Sequence, residues 1–407
     1  MKTQSSSKCS SGFTVSPSVL QRCLSIHLQH CPFEQILRGI GRMNRSLSII
    51  HSESSKGWGG QEMRTLREMI GMRDTGHRVE LICPRDASIG MHGAAAGFAV
   101  HHSEMRTGGD VASAIDIACM LRRRACDVLN THSGHDSLVA GFAARLAGTP
   151  LVVRTRHLAL PITSLATYNW LPHRVIAVSH HVRKYLIGAG VGADRVETIY
   201  DGIEKLAEGG KSTLRTELGL RDDDVVACMV AIMREGKGHE DLIAAVVPLL
   251  ESREKFHVVL AGDGPMFAEI KRMVLNRGLE HRIHLLGFRS DVPNIMAGCD
   301  FFVLPTHQEA LGQAFIEAMS LGLPVIGTDV GGVPELISDE VNGLLVPPRD
   351  PVALAEALVR LIDNASLRHE LSHAGRFILS KGFSVTNMVY DTMCFYRRSL
   401  QERGYHA

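Results

Sequence analysis

The chain has no surplus of charge. Its formal net charge is +1 over 407 residues. That excludes a general electrostatic pull toward nucleic acid or an anionic surface, so any anion site must be local. It has no closely spaced cysteine pair: Cys9, Cys23, Cys31, Cys83, Cys119, Cys126, Cys228, Cys299 and Cys394 occur singly. Such usage fits reduced thiols and speaks against a disulfide framework or a zinc site. No apolar run approaches the length of a bilayer span. The first residues lack the long apolar core of a secretory leader. The expectation is a cytoplasmic protein.

What is present is enough chain for two domains and a repeated alternation of strands and helices. A Ser-rich opening gives no clear strand before Ser46–His51. Residues 1–42 are therefore read as a poorly ordered extension, with Met43 an alternative start. Short apolar runs then read as buried parallel strands at Val79–Cys83, Val128–Asn130, Leu151–Val153, Val175–Val178 and Val196–Ile199. Helical patterns fall between them, as at Gly60–Arg73, Asp110–Arg124 and Ser137–Leu146. A second series has strands at Val225–Ala231, His257–Ala261, Ile283–Leu286, Phe301–Leu304, Pro324–Gly327 and Leu344–Val346. Its helices include Glu240–Leu250, Met266–Arg277, Ala314–Leu321 and Val352–Ile362. The expected architecture is α/β, with two Rossmann-like, doubly wound domains over 43–203 and 204–384. Gly209, Gly210 and Lys211 break the pattern near the boundary, and a last helix within 385–407 is free to pack back toward the first domain. In open α/β sheets ligands bind beyond the carboxyl ends of the strands, so the site belongs in the cleft between the domains.

The run Pro305-Thr-His-Gln-Glu309-Ala-Leu-Gly312-Gln-Ala-Phe-Ile-Glu317 carries most of the chemistry. A strand ends at Leu304, a turn contains Gly312, and a helix follows. First-turn amides and the helix dipole can hold a diphosphate. Glu309 before the helix and Glu317 within it can grip hydroxyls on either side. In the first domain Gly57, Gly59 and Gly60 lie between a strand and a helix, where phosphate or sugar can approach backbone closely. Arg156 and His157 end another strand and are candidates to meet an acceptor or phosphate. Asp222-Asp-Asp224 has a metal-binding look but precedes a strand on the side away from the cleft, so it reads as a solvated turn. Arg122-Arg-Arg124 reads as a helix C-terminus favoured by the dipole.

With Gly262-Asp-Gly-Pro265, Gly287-Phe-Arg289, Thr328-Asp-Val-Gly-Gly-Val-Pro-Glu335 and Asn342-Gly-Leu-Leu-Val-Pro347, these segments resemble, in order and spacing, the C-terminal half of the family-4 retaining glycosyltransferases. The N-terminal half matches more loosely through Gly57–Glu62, Thr131-His-Ser133, Arg154–His157 and Arg195–Gly202. The resemblance implies a GT-B fold and transfer of a sugar from a nucleoside-diphosphate (UDP) donor to an acceptor hydroxyl, with retained configuration. The donor is a co-substrate; no bound metal or other cofactor is implied. By the same resemblance Glu317 matches the acid that binds the ribose, and Glu309 the acid near the transferred sugar. Backbone amides at Gly312, Gln313 and Ala314 meet the phosphates and sugar, and Phe288 and Arg289 lie against the nucleobase. His132 falls beside the donor sugar in a supporting catalytic role.

The leaving phosphate needs cations, for which Lys237 and Arg234 in Arg234-Glu-Gly-Lys-Gly-His239 are the candidates. Many relatives carry arginine where Ile232 stands, so either Arg234 supplies that charge from a shifted position or the site uses Lys237 with weaker help. The implied acceptor is a glycan or glycolipid of a bacterial envelope, such as lipopolysaccharide, met at the cytoplasmic face of the inner membrane. Two rival readings share the fold: a nucleotide-sugar 2-epimerase, which needs no acceptor, and a non-catalytic GT-B subunit.

Overall fold

The structure, a computed structural model, describes residues 45–106, 109–204 and 212–405. The extension over 1–42 and the break at Gly209–Lys211 lie outside the described residues.

The first sheet has seven parallel strands in the order β3-β2-β1-β4-β5-β6-β7. They are β1 (Ser48–Ser52), β2 (Arg78–Cys83), β3 (Ala99–His102), β4 (Val128–Thr131), β5 (Leu151–Arg156), β6 (Arg174–Ala177) and β7 (Val196–Thr198). The second has six, in the order β10-β9-β8-β11-β12-β13. These are β8 (Val225–Val230), β9 (Phe256–Ala261), β10 (Ile283–Gly287), β11 (Phe301–Leu304), β12 (Val325–Thr328) and β13 (Leu344–Val346). Helices cover both sheets, whose central strands are buried over nearly all their length and mostly apolar, as a parallel sheet requires. This is the GT-B arrangement. Strand order reverses between β1 and β4 and between β8 and β11, and loops at both switch points line one cavity.

The strands fall within two residues of their expected bounds, except that β5 runs three residues further, to Arg156, and one strand was not expected. The edge strand β3 is half exposed and carries His101 and His102, so it shows no apolar run.

The chain crosses between the sheets twice, side by side. Ile203 N donates to Phe383 O at 2.9 Å and Val385 N to Ile203 O at 3.3 Å. A Cβ on Gly202 would stand 2.5 Å from Ser384 O, so this close approach needs a glycine. After the second crossing the helix Val385–Glu402 returns to the first sheet. Its Met388, Met393, Phe395, Tyr396 and Leu400 share a buried core with Leu47, Ile49 and Met69. A Cβ on Gly71 would come within 2.5 Å of the Val389 side chain.

Candidate functional site: a cleft with two unlike walls

A cavity of about 1260 Å³ opens between the two sheets. Gly59, Gly60, Gln61, Arg67, Ser133, His157 and Asp201 line it from the first domain, and Ile232, Arg234, Lys237, Phe288, Arg289, Glu309, Gly312, Gln313, Ala314 and Glu317 from the second.

The second-domain wall is built by a chain of short-range constraints. The helix Gln313–Ser320 starts at Gly312, whose φ of 107° favours glycine. Its opening residues Gly312, Gln313 and Ala314 face the cavity. The preceding loop is held by backbone. Gly236 O accepts from His307 N at 2.8 Å and from Thr306 Oγ1 at 3.1 Å. Gly332 N donates to Glu309 O at 3.1 Å. A side chain on Gly238 or Gly331 would collide with Pro305 O or Glu309 O, at 1.9 Å in each case. Two glycine turns thus clamp the loop that presents Glu309.

Lys237 Nζ lies 2.6 Å from Glu309 Oε2, with both side chains about nine-tenths buried. Arg234 lines the same wall and, among the described residues, has no ion-pair partner. Ile232 is 52% exposed and also faces the cavity. The cationic group therefore stands two residues along the chain from that apolar side chain. Arg289 lines the cavity, but its guanidinium is held by Asp291 at 2.7 Å and Glu217 at 2.5 Å. Phe288 beside it is exposed. Glu317 Oε1 accepts from Arg67 Nη2 of the opposite domain at 3.0 Å. Nothing in the sequence flags Arg67, because the contact joins residues 250 positions apart.

The first-domain wall is different. Gly59 N donates to Glu62 Oε2 at 2.9 Å, which fixes the glycine turn on its helix. Gly59 and Gly60 line the cavity, whereas Gly57 is not among its lining residues. The expectation for His132 needs correction. It is buried behind the wall, and of the row it belongs to, His157 is the member that lines the cavity. The cause is strand order. Strands β1, β4 and β5 are neighbours, so histidines near their carboxyl ends form a row. His51 Nδ1 is 2.9 Å from His132 Nε2, and His132 Nδ1 is 3.0 Å from His157 Nε2.

Thr65 sets the polarity of this row. Its hydroxyl donates to Gln61 O at 2.9 Å, so it accepts from His132 Nδ1, 3.3 Å away. His132 then carries its proton on Nδ1, shared with His157 Nε2, while its Nε2 accepts from His51 Nδ1–H. The remaining nitrogen of His157 becomes an N–H donor. The other end, His51 Nε2, is buried without a partner among the described residues, as a bare lone pair, a smaller cost than an orphaned N–H. Burial holds His51 down to about 4, and burial with neighbouring positive charge holds His132 and His157 well below the usual histidine range. All three rings are neutral at physiological pH.

Arg156 is also corrected. Its Nη2 donates to Leu160 O at 2.7 Å, and its guanidinium carbon lies 5.9 Å from the Tyr168 ring centre. It is not among the residues that line the cavity.

Two groups that the sequence reading did not single out support this wall. Glu53, just past β1, is fully buried. It accepts from Gln61 Nε2 at 2.6 Å, from Ser55 N at 2.8 Å, and from the Ser133 hydroxyl. Burial, then the nearby Asp136 carboxylate, push it up to about 8. Asp201, at the first crossing, joins Arg64 and Gln313. Burial raises its pKa, and the Arg64 guanidinium pulls it back. Asp201 lay within a quoted motif without a role; Glu53 had no sequence signal beyond its strand end. Among the described residues, no three His, Cys, Asp or Glu side chains converge as a metal-binding set.

Comparison with known proteins agrees with this geometry. Residues 58–205 match the model "Glycosyltransferase Family 4", and residues 210–377 match "Glycosyl transferases group 1". The chain is 30% identical over 300 residues to the Escherichia coli UDP-Gal:alpha-D-GlcNAc-diphosphoundecaprenol alpha-1,3-galactosyltransferase, covering 69% of this chain and 77% of that one. It is 30% identical over 279 residues to the alpha-D-kanosaminyltransferase of Streptomyces kanamyceticus, covering 62% and 72%. The crystal structure of Anabaena HepE in complex with UDP superposes with a TM-score of 0.78 at 23% identity, covering 86% of this chain and all of that one. The chain belongs to the family-4 glycosyltransferases of GT-B fold. It is a glycosyltransferase.

Proposed function

We propose that the chain is a retaining glycosyltransferase that moves a sugar from a uridine-diphosphate sugar to a hydroxyl of a bacterial envelope glycan or glycolipid. The carrying observation is the second-domain wall, where Lys237–Glu309, the Gly312–Ala314 helix start and Glu317 follow one another along the cavity. That order matches a donor laid out as sugar, diphosphate and ribose. Arg234 and Lys237 stabilise the negative charge that grows on the departing diphosphate, helped by the helix N-terminus. Glu309 exchanges its lysine partner for sugar hydroxyls, and Glu317 its arginine partner for the ribose. The Escherichia coli relative, named for its UDP-linked donor and lipid-diphosphate acceptor, supports the donor and acceptor classes.

Retention is supported by what the first-domain wall presents. Glu62 caps Gly59, Asp201 is paired, and His157 offers an N–H rather than a lone pair. None of these is a free base opposite the leaving group, so the departing phosphate takes the acceptor proton on its own face. The reading also places the protein at the cytoplasmic face of the membrane that holds such an acceptor; no helix among the described residues is long and apolar enough to cross one. Proton NMR of the first-formed product tests the mechanism. A retained anomeric centre is expected, in EDTA as without it, and an inverted centre or a metal requirement refutes the corresponding part. Incubation with donor alone should give only slow hydrolysis. A new nucleotide sugar would identify an epimerase.

A further inference from the structure

We infer that the Gln313 side chain is a specificity-determining residue, whose amide oxygen accepts a hydrogen bond from a hydroxyl of the transferred sugar, and that Asp201 is the positioning residue that aims it. The inference rests on the nucleotide-sugar reading of the cavity and deepens it.

Gln313 is the first residue of the helix that receives the diphosphate. Its side chain reaches back to the crossing between the domains, where Nε2 donates to Asp201 Oδ2 at 2.9 Å. Asp201 Oδ1 lies 2.5 Å from Arg64 Nε. Arg64 Nη1 in turn donates to Glu68 Oε2 at 3.2 Å, and Glu68 Oε1 accepts from Thr392 Oγ1 at 2.8 Å. Arg64 and Glu68 are fully buried and Asp201 nearly so. The row ties the donor helix of one domain to the first helix and last helix of the other.

That row settles which way the amide points. A carboxylate held against a guanidinium only accepts, so it selects the NH₂ end of Gln313 and turns the carbonyl oxygen away. The oxygen so turned, Gln313 Oε1, is buried and has no partner among the described residues. It lies where the two walls meet: a Cβ added to Gly60 would approach it to 2.9 Å, and Gly60, Asp201 and Gln313 all line the cavity. A buried acceptor without a donor is unfavourable, and a ligand hydroxyl that reaches it removes that cost. A site built around such a group rejects ligands that lack the hydrogen. The position favours the sugar over the nucleoside. Gln313 is next to Gly312 and one turn before Glu317, the ribose-side acid, and its oxygen abuts the glycine turn of the opposite domain.

The test is calorimetric titration with UDP, UDP-glucose, UDP-galactose and UDP-N-acetylglucosamine, on wild type, Gln313→Met, Asp201→Asn and Glu317→Gln. Gln313→Met should keep the dissociation constant for UDP within about two-fold. It should lose about ten-fold, the size of one hydrogen bond, in its discrimination among the three sugars. Asp201→Asn, compared at matched folded fraction, should flatten the same ranking and leave UDP alone. Glu317→Gln should weaken all four ligands together, which marks the nucleoside end. If Gln313→Met ranks the sugars as wild type does, the inference is overturned, whatever the Asp201 variant shows. A wild type that binds none of the four refutes the nucleotide-sugar reading and this inference with it.

Discussion

The two walls of the cleft do opposite things with charge. The second-domain wall keeps its ions charged at the cavity lining and paired with partners that a ligand can replace, Lys237 with Glu309 and Glu317 with Arg67 of the opposite wall. The first-domain wall buries its titratable groups and neutralises them, as in the His51–His132–His157 row and Glu53. A wall of exchangeable ions suits a ligand that arrives charged, because each carboxylate or cation can trade one partner for another at little cost. A wall of neutral, locked dipoles suits an uncharged acceptor and the moment of transfer, when reorientation would be expensive.

Variants can break this contrast. The largest effect should come from Lys237→Ala. Loss of the cation beside the leaving group should lower kcat/KM by about 10²–10³, in steady-state assays with saturating acceptor. A drop under five-fold would move that duty to Arg234. Next is Glu317→Gln. A hydrogen bond to a charged group contributes about 1.5–3 kcal/mol, so UDP affinity by calorimetry should fall about 10- to 100-fold while turnover at saturation changes little. Unchanged affinity would remove Glu317 from the site.

On the other wall, His132→Ala should leave UDP affinity intact. It strands His51 Nδ1 and His157 Nε2, at about 1–3 kcal/mol of stability, and frees the His157 ring to turn. Turnover should fall about ten-fold. A variant of normal turnover would show that the row is structural only.

The smallest effect concerns pH. Glu53 is raised from 4.5 to about 8 in the folded protein, so its contribution to stability is full below pH 4.5 and lost as pH rises through 8. His51 is lowered from 6.5 to about 4, so its contribution is present above pH 6.5 and lost as pH falls through 4. His132 and His157 are lowered in the same direction, so melting temperature should decline on both sides of a maximum near pH 6.5. Glu53→Gln, which mimics the protonated acid, should flatten the alkaline side alone. An unchanged alkaline side would mean that Glu53 is ionised in the fold.

The donor wall was legible in the sequence because its geometry is local. Strand, glycine turn and helix run consecutively from Phe301 to Ser320, and Gly238 and Gly331 stand where a side chain would strike backbone. The alternation of apolar runs likewise gave both sheets. The acceptor wall was not legible, since it depends on strand order. His51 and His132 are 81 positions apart and meet because β1 and β4 adjoin at the reversal. Position at a strand end marks His132 and His157 equally; only the sheet decides which ring covers the other. Arg67 and Asp201 face the opposite domain, which periodicity within one segment does not encode. Arg156 lies off the cavity lining for a nearer reason, because the loop after it supplies a carbonyl and an aromatic ring that draw the guanidinium aside.

The return of the helix Val385–Glu402 to the first sheet has a consequence for synthesis. The core beneath Leu47, Ile49 and Met69 is completed by Met393, Phe395 and Tyr396, which leave the ribosome after the whole of the second domain. Domains generally fold in order of emergence, but here the second domain is the one whose residues are contiguous. It can finish first, while the earlier-made sheet waits, with an apolar face uncovered, for the helix Val385–Glu402.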